Sequence, residues 1–274
     1  GRAGEVETRT GAMTNWATTL VAAGAILAAT AGARAAETIT GDPLQSNSWE
    51  DIRAVHLGAG AVVYDTSLEA AMPKTVENAH EVPIMIRFTP DIGVIEEIVI
   101  IVEHNPIQVV ARMRPYRPIQ SIGLNMRLET SSPVRAAART ADGVWHVASR
   151  FVDVLSAGGC STPPPGAGAG AMGEIAVKTF DRGRGISRMK FRIAHPMSTG
   201  LATGADGELI PAHYIERIAV ADDGGRIADL TTWAAMSMDP TIIIDMPQAR
   251  QNVRVNARDS EGLEFESFLA PSSM

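Results

Sequence analysis

The chain has 274 residues, with 31 acidic against 24 basic side chains for a formal net charge of −7, and a single cysteine. That balance argues against general nucleic-acid binding and favours solubility or the meeting of basic protein partners. One cysteine cannot close a disulfide within its own chain, and the length suffices for two domains that each bury a core.

Residues 1–35 read as an export signal with upstream residues. An apolar run over 16–31 leads to Ala33-Arg34-Ala35, the small-x-small form that signal peptidases cut. The run is too short and too rich in alanine and threonine to span a membrane, so cleavage after Ala35 and no remaining membrane span are expected. Asn47 and Ser48 can then cap a short helix over 49–56, with Trp49, Ile52 and His56 on one face.

From Gly58 the period changes. Val82, Ile84, Ile86 and Phe88 alternate with Pro83, Met85 and Arg87, the period of two of a strand with one buried face. Residues 97–103 form a near-continuous apolar run, and 107–113 and 122–128 are further strand candidates. Asp142-Gly143 marks a hairpin between 134–139 and 144–154. In the second half, 174–180, 189–194, 214–220, 226–231, 241–245, 252–258 and 263–268 read as strands, with hairpin turns at 222–225 and 259–262. The expectation is an all-β chain of two antiparallel sandwiches, one over 36–155 and one over 174–274, joined by a flexible Gly/Pro-rich arm over 156–173.

That arm carries Gly158-Gly159-Cys160-Ser161-Thr162-Pro163-Pro164-Pro165 and then a Gly/Ala run. Gly158 and Gly159 remove side-chain bulk and the prolines break any packed element, so Cys160 is expected on an exposed loop, as a handle. No Lys, Arg or His lies between Phe151 and Val177. With nothing local to lower its pKa from ~8.5, only a few per cent of such a thiol is thiolate at pH 7. It suits presentation to another protein's active site better than catalysis of its own.

The six histidines have no zinc-like spacing, and no catalytic metal is expected. His195, Met197 and His213 offer imidazole and thioether donors that could hold copper, a redox alternative. There is no Gly-x-Ser-x-Gly elbow, and the glycine run 166–173 lacks the Lys-Ser/Thr of a phosphate loop.

Ile193-Ala194-His195-Pro196-Met197-Ser198-Thr199-Gly200, followed by Ile210-Pro211-Ala212-His213-Tyr214-Ile215, strongly resembles SoxZ of the thiosulfate-oxidising system. The first half, with Trp49, the Val82-Pro83-Ile84 strand and Gly158-Gly159-Cys160 at its end, looks like SoxY. In the order Y then Z, the chain resembles the fused SoxYZ-like carriers associated with quinoprotein dehydrogenases.

The resemblance implies immunoglobulin-like sandwiches, a periplasmic location and a carrier without a catalytic centre or cofactor. It implies that Cys160 bears sulfur intermediates covalently, on an arm containing Gly158 and Gly159. Periplasmic redox enzymes, a quinoprotein dehydrogenase and a cytochrome c among them, are the implied partners. His195, Pro196, Met197, Thr199, Gly200 and His213 would then form a partner interface. One departure stands out: Ser161-Thr162-Pro163 follow Cys160 where the family has two glycines and a chain end. The cysteine is therefore tethered on both sides, with a short leg reaching at most ~14 Å. The other reading is a docking or assembly protein for an exported dehydrogenase or cytochrome, with Cys160 incidental.

Overall fold

The computed structural model describes residues 39–166, 170–247 and 252–269; the expected signal segment and part of the arm lie outside them. Helix α1 (Trp49–Leu57) is followed by β1 (Val62–Val63), β2 (Leu68–Ala71), β3 (Thr75–Val76), β4 (Val82–Phe88), β5 (Ile95–Val102), β6 (Val109–Pro115), β7 (Ser121–Met126), β8 (Ser132–Thr140) and β9 (Trp145–Val154). The second half adds β10 (Ile175–Asp181), β11 (Ile186–Ile193), β12 (Ile215–Asp222), β13 (Gly225–Thr232), β14 (Thr241–Pro247), β15 (Val253–Asp259) and β16 (Glu264–Leu269). The fold is all-β, in sheets consistent with immunoglobulin-like sandwiches.

Both sheets cross the boundary between the halves. One runs β1-β9-β8-β5-β6-β13-β12-β15-β16, with β3 pairing with the C-terminal end of β9, and the other runs β10-β11-β14-β7-β4-β2. The joints are antiparallel: β6 meets β13 with Met113 opposite Leu230, and β7 meets β14 with Leu124 opposite Ile242. A single apolar cluster accordingly holds Ile84, Ile100 and Leu124 from the first half with Phe191, Ile218 and Ile244 from the second. The two sandwiches are continuous through β6–β13 and β7–β14.

Strand β5 shows why 97–103 reads as an unbroken apolar run. Ile98, Ile100 and Val102 face the shared core, while Val99 and Ile101 face outward into a second cluster with Trp49, Ile52 and Leu57 of α1. The helix covers the outer face of the sheet, so both faces of β5 are dry. The face expected from sequence holds for Trp49 and Ile52, but Leu57 takes the place of His56, which pairs through Nε2 with Gln108 Oε1 at 2.9 Å. Ser48 precedes the helix without capping it. Its hydroxyl donates instead to Glu103 Oε2 at 2.9 Å, within a network that joins buried Arg135 to Glu103 and Asp42 and ties the chain ahead of the helix to β5 and β8.

Candidate functional site

The site begins where β7 runs out. Beyond Met126, the backbone N–H of Arg127 donates to Ala235 O (2.8 Å) and that of Leu128 to Ala79 O (2.9 Å). Asn105 braces both sides of this extension, donating from Nδ2 to Arg127 O (2.7 Å) and accepting at Oδ1 from Glu129 N (2.8 Å). The cysteine turn docks on it: Gly158 N donates to Glu129 O (2.7 Å) and Gly159 N to Leu128 O (3.1 Å).

Gly159 is required by space. A Cβ there would stand 2.3 Å from Ala79 O and 2.4 Å from Leu128 O, well inside contact distance. Gly158 is required by conformation, at φ +102. Thr162 then closes the turn, its N–H and hydroxyl both donating to Gly158 O at 2.9 and 2.6 Å.

Cys160 is fully buried, which corrects the expectation of an exposed handle. The glycines expected to free the thiol let its backbone approach another strand instead. Glu129 secures the position: its Oε2 accepts from Cys160 N and Ser161 N, each at 3.0 Å, and its Oε1 accepts from the Ser161 hydroxyl at 2.5 Å. Burial and the Glu129 charge push the thiol pKa up to about 12, against the opposing pull of the Arg127 guanidinium. His80 stands beside the turn, its Nε2 3.1 Å from Thr162 Oγ1. Since that hydroxyl spends its proton on Gly158 O, Nε2 is the donor. Burial, then the charge of Arg127, lowers the His80 pKa, so the ring is neutral.

The second half supplies the roof. Thr199 donates from Oγ1 to Cys160 O at 2.7 Å, and Pro196 O accepts from Arg127 Nη2 at 3.3 Å. His195, Met197 and Thr199 are buried, with Pro196, Gly200 and His213 partly so. Of the residues expected to meet a partner, His195, Met197 and Thr199 turn inward, the loop reaching the first half of the same chain through Thr199 and Pro196, while Pro196, Gly200 and His213 keep part of their surface exposed.

His195 and His213 do come together, ring centroids 4.6 Å apart, with Asp259 Oδ2 at 2.8 Å from His213 Nε2 and 3.5 Å from His195 Nε2. Their potential ligand atoms lie within 4.8 Å of one another. The hydrogen bonding fits a metal poorly. His195 Nδ1 accepts from Met197 N at 3.1 Å, so a neutral ring carries its proton on Nε2, the atom that would have to bind. The Met197 sulfur, the third donor of the copper alternative, faces Ile215 N at 3.3 Å. The trio instead locks the loop, which Ser198 and His213 further pin by exchanging two backbone hydrogen bonds.

Sequence reading named Cys160, Gly158, Gly159 and Thr199 but missed Arg127, Glu129, His80 and Thr162. The available signal was the interruption of the apolar strand ending at Met126 by Arg127 and Glu129, two charges flanking Leu128.

Comparison with known proteins divides the chain at this site. The family model for "Sulfur oxidation protein SoxY" matches residues 53–160, ending on the cysteine, and that for "Sulphur oxidation protein SoxZ" matches residues 177–269. Among solved structures, the sulfur carrier protein SoxY from Chlorobium limicola f thiosulfatophilum is similar at 21% identity, covering 40% of this chain and 97% of its own, with a TM-score of 0.35. No curated protein matches. With SoxY and SoxZ domains following one another in one polypeptide, the chain belongs to the sulfur-oxidation proteins of the SoxY and SoxZ families, as a fused SoxYZ-like protein.

Proposed function

We propose that this chain is a periplasmic covalent carrier that takes a thiosulfate-type sulfur intermediate on Cys160 and presents it to partner redox enzymes, without a catalytic centre or resident cofactor of its own. The observation that carries this reading is convergence. The only cysteine of the chain closes the SoxY match, and side chains from both halves, Glu129 and Thr199, hold its turn.

Loading has a definite balance. Joining the Cys160 thiol to thiosulfate forms one S–S bond and releases the thiol proton and two electrons, so an oxidant is needed. A c-type cytochrome, linked to a quinoprotein dehydrogenase system, is the class of partner proposed to take them. A thiol with its pKa at about 12 reacts only slowly while its turn is closed, so efficient loading calls for the receiving enzyme to draw the turn out. Pro163, Pro164 and Pro165 favour an extended leg for that movement.

The test is Cys160→Ser in the producing organism. The expected result is loss of thiosulfate-dependent electron transfer with a folded protein still exported. The burial of Cys160 favours a second reading, a docking protein whose cysteine serves packing. A folded Cys160→Ser protein with full pathway activity would select it.

A further inference from the structure

Arg127 is in an unusual state for a buried cation. Its side chain is 1% exposed, its Nε has no hydrogen-bond partner, and the one side-chain bond found for it among the described residues is the 3.3 Å contact with Pro196 O. No carboxylate among those residues forms an ion pair with it. Burying an unpaired charge is among the most costly things a fold can do, and an orphaned buried donor calls for a physical reason.

The backbone brings Arg127 and the cysteine into one neighbourhood: Gly159 N donates to the carbonyl of Leu128, next to Arg127, and the loop whose Pro196 O accepts from Arg127 also reaches Cys160 O through Thr199, close enough for the charges of Arg127 and Cys160 to act on one another. Activation of the thiol is not the reason, because the thiol stays protonated with Arg127 in place. The other charge beside the sulfur is Glu129, whose oxygens are taken by Cys160 N, Ser161 N and the Ser161 hydroxyl. His80 is neutral, and its Nδ1 has no partner. The turn of Cys160 is therefore held by a carboxylate whose acceptors are occupied, and the nearby guanidinium keeps an Nε without a partner.

Resting on the carrier reading above, we propose that Arg127 is the receptor for the carried group: its free donors bind an anionic sulfur oxyanion attached to Cys160 Sγ and hold the loaded turn in its closed position. A planar fork of N–H donors matches an oxyanion better than a single point charge does, and removal from water strengthens the contact. An unloaded thiol, being neutral, gains nothing from it. Arg127 acts through the cargo and is a positioning residue. Loading with an anion tightens the turn, whereas a neutral adduct of the same sulfur leaves the guanidinium unpaired.

The test uses the full chain with two adducts. Prolonged treatment with tetrathionate lets the Cys160 thiolate, exposed as the turn opens, attack a sulfane sulfur. One S–S bond forms and one breaks, thiosulfate leaves, the thiol proton passes to solvent, and Cys160 Sγ bears –S–SO3−, tetrathionate itself serving as the two-electron oxidant. Methyl methanethiosulfonate gives the neutral –S–CH3 adduct, with methanesulfinate leaving. The expected result is a Tm several degrees higher for the anionic adduct than for the neutral one, and loss of that difference in Arg127→Gln, with partial retention in Arg127→Lys. An anionic adduct whose Tm equals or falls below that of the neutral adduct overturns the proposal, as does a difference that persists in Arg127→Gln. The wild-type comparison decides the matter even where Arg127→Gln does not fold. Failure of the carrier reading would show separately, as absence of any Cys160 adduct in protein isolated from the producing organism.

Discussion

A thiol with its pKa pushed up to about 12 by burial and by the Glu129 charge is almost wholly protonated at pH 7. Native protein at pH 7.5 should therefore alkylate with iodoacetamide about a hundredfold or more slower than the same chain in urea, where the thiol returns to ~8.5. Equal rates would contradict the closed turn. The same shift makes stability depend on pH. Between the unfolded pKa of ~8.5 and the folded one of about 12, the unfolded chain has lost the proton that the folded chain keeps, so stability falls as pH rises through that window. The Tm of the wild type should drop more steeply there than that of Cys160→Ala, and parallel curves would show that the sulfur is not buried. Sequence could not give this value, because its main cause is burial in the folded structure and the next, the Glu129 charge, comes from about thirty residues away along the chain.

The turn is the element on which the proposed function rests, and it is specified by fit to its neighbours. Gly159→Ala forces a methyl against Ala79 O and Leu128 O, so the turn must lift. A loss of about 2 kcal/mol and much faster alkylation of Cys160 are expected, while unchanged stability and reactivity would contradict the docking of this backbone. Thr199→Val removes the hydroxyl that donates to Cys160 O; its cost is about 1 kcal/mol, and faster alkylation of Cys160 is the check that the second half holds the turn shut. Most strands were legible from apolar alternation and turn residues, with β4 matched residue for residue. The short strands β1, β2 and β3 were not, because two to four residues are too few to display a period. The glycines misled for a physical reason. Freedom of φ and absence of a Cβ serve close backbone approach as well as flexibility, and only the neighbours decide which.

At the scale of the molecule, the two halves share sheets as well as a connection. Local sequence signals identify hairpins, but the pairings of β6 with β13 and β7 with β14 join strands more than a hundred residues apart, and nothing in a turn motif encodes them. The shared core predicts one cooperative thermal transition, with calorimetric and van't Hoff enthalpies in agreement; two separate transitions would mean the halves fold independently. It also explains why the His195 to Gly200 loop reads as a motif. The loop is built to meet Arg127 and Cys160, so the second half shapes the place where the first half's cysteine rests.

The central claim is that Cys160 bears a sulfur cargo, and its most direct test is the intact mass of the protein isolated without reductant from the exported fraction of thiosulfate-grown cells, before and after a reducing agent. The account predicts a mass increment that maps to Cys160 and disappears on reduction. A clean thiol under those conditions would contradict it.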